Sequence, residues 1–139
     1  MKDRIIFKAK KYVFGKVTGE ALITRERVMF LGFTDPDKGI FHAPNTELYG
    51  SSFKDKVLIY TSGKASSGGA RAIDLAVRAG NAPAAIINLE MDPITVAGCA
   101  FDDIPLVQVD DPSIFDKVKK GDMVTVDTEK GEVIIEKID

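Results

Sequence analysis

An α/β fold, rich in strand and with its helices in the middle of the chain, follows from three features of this 139-residue sequence. The apolar runs KVLIY at 56–60 and PAAIINLE at 83–90 flank a helical pattern, so 56–90 reads as a βαβ unit with a right-handed crossover. The closing MVTVDTEKGEVIIEKI alternates twice around Glu129-Lys130-Gly131, which is the pattern of a hairpin. The first third carries β-branched and apolar residues interrupted by Gly15, Gly19 and Gly32, as short strands do.

In chain order, RIIFKAK alternates imperfectly and GKVTGEALITRERVMFLG continues the strand character. Asp35-Pro36-Asp37, with Gly39 after it, is a turn, because proline presets φ and glycine permits a positive φ. KVLIY is continuously apolar, which suits a strand buried on both faces. Past a Ser/Gly loop, Ala70, Ile73, Ala76 and Val77 share one helical stripe, with Arg71, Asp74 and Arg78 mostly opposite. Gly80-Asn81 closes that helix as a left-handed cap. Asp92 can cap a short helix with Pro93 in its first turn. IPLVQV at 104–109 is a third short strand, and DPSIFDKVKKGD makes one or two helical turns closed at Gly121. With no repeat, low-complexity tract or linker, residues 1–139 read as one domain.

Composition narrows the function. With 45% hydrophobic and 29% charged residues the chain has the make-up of a soluble globular protein. A net charge of −2 argues against a nucleic-acid binder. No apolar stretch approaches the roughly 18 residues that cross a bilayer, and the start lacks a signal-peptide core, so a cytoplasmic location is expected. Iron–sulfur clusters are usually held by several thiolates, and Cys99 is the single cysteine and His42 the single histidine. Any metal must therefore come from a partner. Cys99 reads as a small buried hydrophobe and His42 as a surface or interface histidine.

The segment YTSGKASSGGARAIDLAVRAG at 60–80 carries the chemistry. Strand, Gly/Ser loop, helix is the order that points free backbone N–H groups and the positive end of a helix dipole at one spot. Gly63, Gly68 and Gly69 permit close approach, and Lys64 with the hydroxyls of Ser62, Ser66 and Ser67 adds donors. From 56 to 81, four basic residues against one acidic residue favour an anionic ligand. The spacing is neither a phosphate-binding Walker loop nor a dinucleotide fingerprint. Simple capping by Ser66 or Ser67 accounts for part of the composition as well.

GEALITRERVMFLGFTDPDKG, then LYGSSFKDKVLIYTSGKASSGGARAIDLAVRAGNAPAAIIN, then IPLVQV and KGDMVTVDTEKGEVII together resemble the small-subunit, swivel-domain family of aconitase X. The motifs are Gly-x-x-Asp-Pro, Ser-Gly-Lys-x-Ser-Ser and Ala-Gly-x-Ala-Pro-Ala-Ala-Ile, and the likeness covers nearly the whole chain. It implies a swivelling three-layer β/β/α domain like the fourth domain of aconitase. It also implies a larger partner subunit that carries an iron–sulfur cluster and most substrate contacts. The implied reaction is dehydration of (R)-5-phosphomevalonate to trans-anhydromevalonate 5-phosphate in an archaeal mevalonate route, with cluster iron as Lewis acid. The small subunit would supply a serine base. Ser62 is the first choice, with Ser66 and Ser67 as alternatives. Gly63, Lys64, Ser66, Ser67, Gly68, Asp35 and Arg71 would contact substrate.

Other readings stay in view. A mobile phosphohistidine domain needs a histidine in the loop, and this loop has none. A non-catalytic anion-binding regulatory module, or a dehydratase for another hydroxy acid such as hydroxyproline, fits the same residues.

Overall fold

The N-terminal third forms β1 (Arg4–Lys8), β2 (Lys10–Val13) and β3 (Lys16–Ile23), in a computed structural model that describes residues 3–63 and 68–138. A long connection follows. It holds the single turn α1 (Phe30–Phe33), broken by a positive φ at Gly32, and the small hairpin β4 (Thr34–Asp35) and β5 (Ile40–Phe41). Then come β6 (Val57–Tyr60), α2 (Gly69–Arg78), β7 (Ala85–Asn88), α3 (Pro93–Phe101) and β8 (Leu106–Gln108). The chain ends with α4 (Ile114–Lys117) and the hairpin β9 (Met123–Asp127), β10 (Glu132–Glu136).

Eight strands are hydrogen-bonded in the order β1-β10-β9-β3-β6-β7-β8-β2. The pivot is β3. Its first five residues pair antiparallel with β9, and its last three, Ala21 to Ile23, pair parallel with β6. One strand thus belongs to two layers. Phe7, Val124, Val126, Val133 and Ile135 of the antiparallel half pack on Val57, Ile59, Ile87 and Val107 of the parallel half. The steps β6-α2-β7 and β7-α3-β8 advance in one direction across the sheet. Right-handed crossovers then set both helices on the same face. There Ala72, Ile73, Ala76 and Cys99 pack on Leu22, Leu58, Tyr60, Ile86 and Leu106. The layers are β/β/α, as the resemblance implied. Being covered on both faces is why the residues of β6 and β7 are buried throughout and carry no alternation.

The ends of α2 depart from and agree with the sequence expectation in turn. Asn81 N–H bonds the Ala76 carbonyl at 2.8 Å and Gly80 N–H bonds that of Val77 at 3.0 Å, with Gly80 at φ +81°, which is the expected left-handed cap. At the other end the N-cap is Gly68, not a serine. A Cβ there would stand 2.2 Å from Leu31 Cδ2, so a larger residue at 68 would have to turn the half-exposed Leu31 side chain aside. The most buried stripe of α2 is Ala72, Ile73 and Ala76, with Ala70 and Val77 at its margins.

In the long connection, Phe53 meets Phe30 and Phe41 edge-on, with ring centroids 5.8 and 5.6 Å apart. The expected turn is present, with Asp35 Oδ1 accepting the N–H groups of Asp37 and Lys38 and Gly39 at φ +67°. Asn81 donates its side-chain amide to the carbonyls of Pro36 and Asp37, which seats this turn against the C-terminal end of α2.

Candidate active site at the carboxyl ends of the parallel strands

Ser62 lies two residues beyond β6, where parallel strands end and ligands of open α/β sheets gather. The backbone around it is held at several points. The Thr61 carbonyl accepts N–H groups of Leu89 and Glu90 at 3.0 and 2.9 Å, and the Thr61 hydroxyl donates to the Arg25 carbonyl at 2.5 Å. The Ser62 carbonyl accepts Val28 N–H at 3.1 Å. Gly63 N–H donates to Asp92 Oδ2 at 3.1 Å. Ser62 itself is 4% exposed. Gly63 has to be glycine, because a Cβ would fall 2.4 Å from Asp92 Oδ2 and 2.5 Å from Thr95 Oγ1.

Next in the described chain is the N-terminus of α2, with no acidic residue in its first turn and no side-chain cap. Its first helical bond runs from Ala72 N–H to Gly68. The amides of Gly69, Ala70 and Arg71 therefore have no partner within the helix, and the dipole there favours an anion. Arg71 is exposed in that first turn and, among the described residues, forms no ion pair. Arg78 differs: it holds Asp74 at 2.8 Å and keeps that carboxyl below the usual range.

Of the expected site residues, Ser62 and Gly63 sit together after β6, and Gly68 and Arg71 lie at the start of α2. Lys64, Ser66 and Ser67 lie outside the described residues. Asp35 is not brought to the loop. Its carboxylate is occupied by its own turn, and that turn packs on the opposite end of α2. Two residues went unread. One is Asp92, whose bond to Gly63 goes beyond the helix cap that its spacing signals, and the other is Thr95, whose hydroxyl shares the same carboxylate oxygen.

The remaining titratable groups are poor candidates. Burial, with Cys99 and Asp92 nearby, pushes the Tyr60 phenol well above its ordinary range, so it stays protonated. Burial likewise lifts the Cys99 thiol to about 12, helped by the charges of Asp102 and Asp92. His42 is exposed on the surface beyond β5. Among the described residues no three His, Cys, Asp or Glu side chains gather where a metal could be held. A groove of about 370 Å³ between α2 and α3 is lined by Ala70, Arg71 and Phe101 among others, and Ser62 is not among its lining residues.

One consequence is directly measurable. At neutral pH a thiol reagent is expected to leave the folded chain unmodified and to modify its one cysteine once denaturant is added. Equal rates in both states would contradict the burial of Cys99.

Among the described residues, no helix is long and apolar enough to cross a membrane. The model of the aconitase X swivel domain matches residues 6–135. The phosphomevalonate dehydratase small subunit of Methanothrix thermoacetophila is 44% identical over 121 residues, 87% of this chain and 88% of that protein. Its counterpart in Methanosarcina acetivorans is 40% identical over 84% of this chain and 81% of its own length. The crystal structure of Thermococcus kodakaraensis aconitase X in its holo form superposes with a TM-score of 0.87 at 36% identity, covering 94% of this chain and 98% of that one. The chain belongs to the aconitase X swivel-domain family.

Proposed function

We propose that this chain is the small subunit of a two-subunit hydro-lyase. The substrate is (R)-5-phosphomevalonate, the product is trans-anhydromevalonate 5-phosphate, and the iron–sulfur cluster belongs to the larger subunit. The observation that carries the reading is the near end-to-end likeness to phosphomevalonate dehydratase small subunits from several archaea.

In this reading Ser62 is the base. Its Oγ, as an alkoxide, takes the proton from the carbon beside the substrate carboxylate and becomes a neutral hydroxyl, while the C–H electron pair forms the double bond and the hydroxyl of the adjacent carbon departs, leaving as water once protonated. A free serine hydroxyl is far too weak an acid to ionise near neutrality, so the site must stabilise the oxyanion. The first-turn amides of α2, its dipole and the Arg71 guanidinium supply positive potential, and Lys64 adds a cation by sequence. Gly63 N–H is not among these donors, because Asp92 already holds it.

The test is reconstitution with an aconitase X-type large subunit, following loss of water from phosphomevalonate. Turnover is expected only when both chains are present. No turnover by the pair, or unchanged turnover by the large subunit alone, would overturn the reading. Tight phosphate or carboxylate binding without turnover would point instead to a regulatory module.

A further inference from the structure

We infer that Asp92 is a positioning residue for Ser62, acting through the Gly63 amide. The assignment rests on Ser62 being the base, and its test is chosen to fail separately from that reading. Asp92 Oδ1 accepts Thr95 N–H at 2.9 Å and caps α3. A helix cap requires nothing more. Yet Oδ2 accepts the Thr95 hydroxyl at 2.6 Å and also Gly63 N–H at 3.1 Å, from 29 residues earlier in the chain. The second oxygen is a charge-assisted anchor for the loop, independent of the cap.

The anchor matters because of which peptide it holds. The Ser62–Gly63 peptide is one rigid plane. Its carbonyl accepts Val28 N–H, and its N–H donates to Asp92, so the plane is gripped at both polar atoms. The preceding plane is held through the Thr61 carbonyl, which accepts Leu89 and Glu90 N–H groups. Only φ and ψ of Ser62 lie between the two planes. Fixing both planes fixes both angles, and with them the direction in which Cβ leaves the chain and the arc that the hydroxyl can sweep about χ1. A group that must meet a substrate proton is sensitive to this, since a displacement of about 1 Å can cost about 100-fold in rate. Asp92 is not itself a spare base, because three donors occupy its two oxygens.

Asp92→Asn separates the cap from the anchor. Its one remaining oxygen cannot serve both amides. With that oxygen on Thr95, the new NH2 faces Gly63 N–H, donor against donor. In the full-length chain, hydrogen exchange of the Gly63 amide is expected to rise at least about tenfold, while the thermal midpoint moves little. In the assembled pair kcat is expected to fall about 10- to 100-fold with KM within about threefold. Gly63→Ala displaces the same carboxylate from the other side, since its Cβ would stand 2.4 Å from Oδ2. The double variant should therefore lose no more than the worse single variant. Unchanged Gly63 exchange in Asp92→Asn, an unchanged kcat, or additive losses would overturn the anchor. Full activity of Ser62→Ala would instead overturn the base, and with it the catalytic consequence of the anchor.

Discussion

Ser62→Ala, in the pair formed with the large subunit, is expected to lower kcat by roughly 10²- to 10⁴-fold with KM within about threefold, the loss typical of removing a positioned base. The substitution isolates the hydroxyl. Every hydrogen bond that the structure assigns around position 62 uses backbone atoms, the Asp92 carboxylate or the Thr61 side chain, and all of these survive in the alanine variant. At 4% exposure the site loses one oxygen and no packed carbon, so stability should change by no more than about 1 kcal/mol. Equal circular dichroism and melting midpoints would then show that lost turnover is chemical. Unchanged kcat would remove Ser62 as the base and return the question to Ser66 and Ser67.

What could be read from the sequence is what local signals encode. The run at 56–60, the glycine after Ala79 and the Asp92-Pro93 start each announce themselves within a few residues, and β6, the end of α2 and the start of α3 lie where they predict. The hairpin β9–β10 followed from alternation in the same way. The role of β3 could not be read so. Nothing in KVTGEALI shows that pairing passes from β9 to β6 at Ala21, because that change depends on segments more than thirty residues away. Gly68 at the N-cap lies against Leu31, and the turn at Asp35 is seated by Asn81, both contacts between distant segments. Asp92 shows the limit most sharply. One of its oxygens obeys a rule of short spacing and was legible, whereas the other meets a glycine across the gap between two strands and was not.

The second large effect lies away from the loop, where that pivot of β3 is tied down. Asp122→Ala is expected to destabilise the chain by about 3 kcal/mol, the low end for breaking a buried ion pair. It should lower the melting midpoint by roughly 10 °C for a domain of this size. The Asp122 side chain is 1% exposed. Its Oδ2 accepts Lys119 N–H at 2.8 Å and the Lys137 ammonium at 2.5 Å, and Oδ1 accepts Ile138 N–H at 3.1 Å. Its carbonyl also accepts Ala21 N–H at 2.8 Å, at the residue where β3 changes partners. Removing the carboxylate leaves two amides without an acceptor and Lys137, 19% exposed, without a counter-charge. That residual exposure is why the low end applies. Burial alone would raise the carboxyl pKa, but the Lys137 ammonium with the amides of Lys119 and Ile138 outweighs it and holds the group below its usual range. A folded pKa below the unfolded value of about 3.9 means that the unfolded chain takes up the proton first as pH falls. The stabilisation is complete above that unfolded value and drains away as pH drops through the folded one. Asp127, held low by the Lys130 amide and by Lys16, contributes with the same sign. Melting curves collected from pH 6 down to acid should therefore converge for the parent and Asp122→Ala, with the parent falling more steeply. Parallel curves would mean that the carboxylate is not ionised in the folded chain and that the ion pair with Lys137 does not hold the pivot.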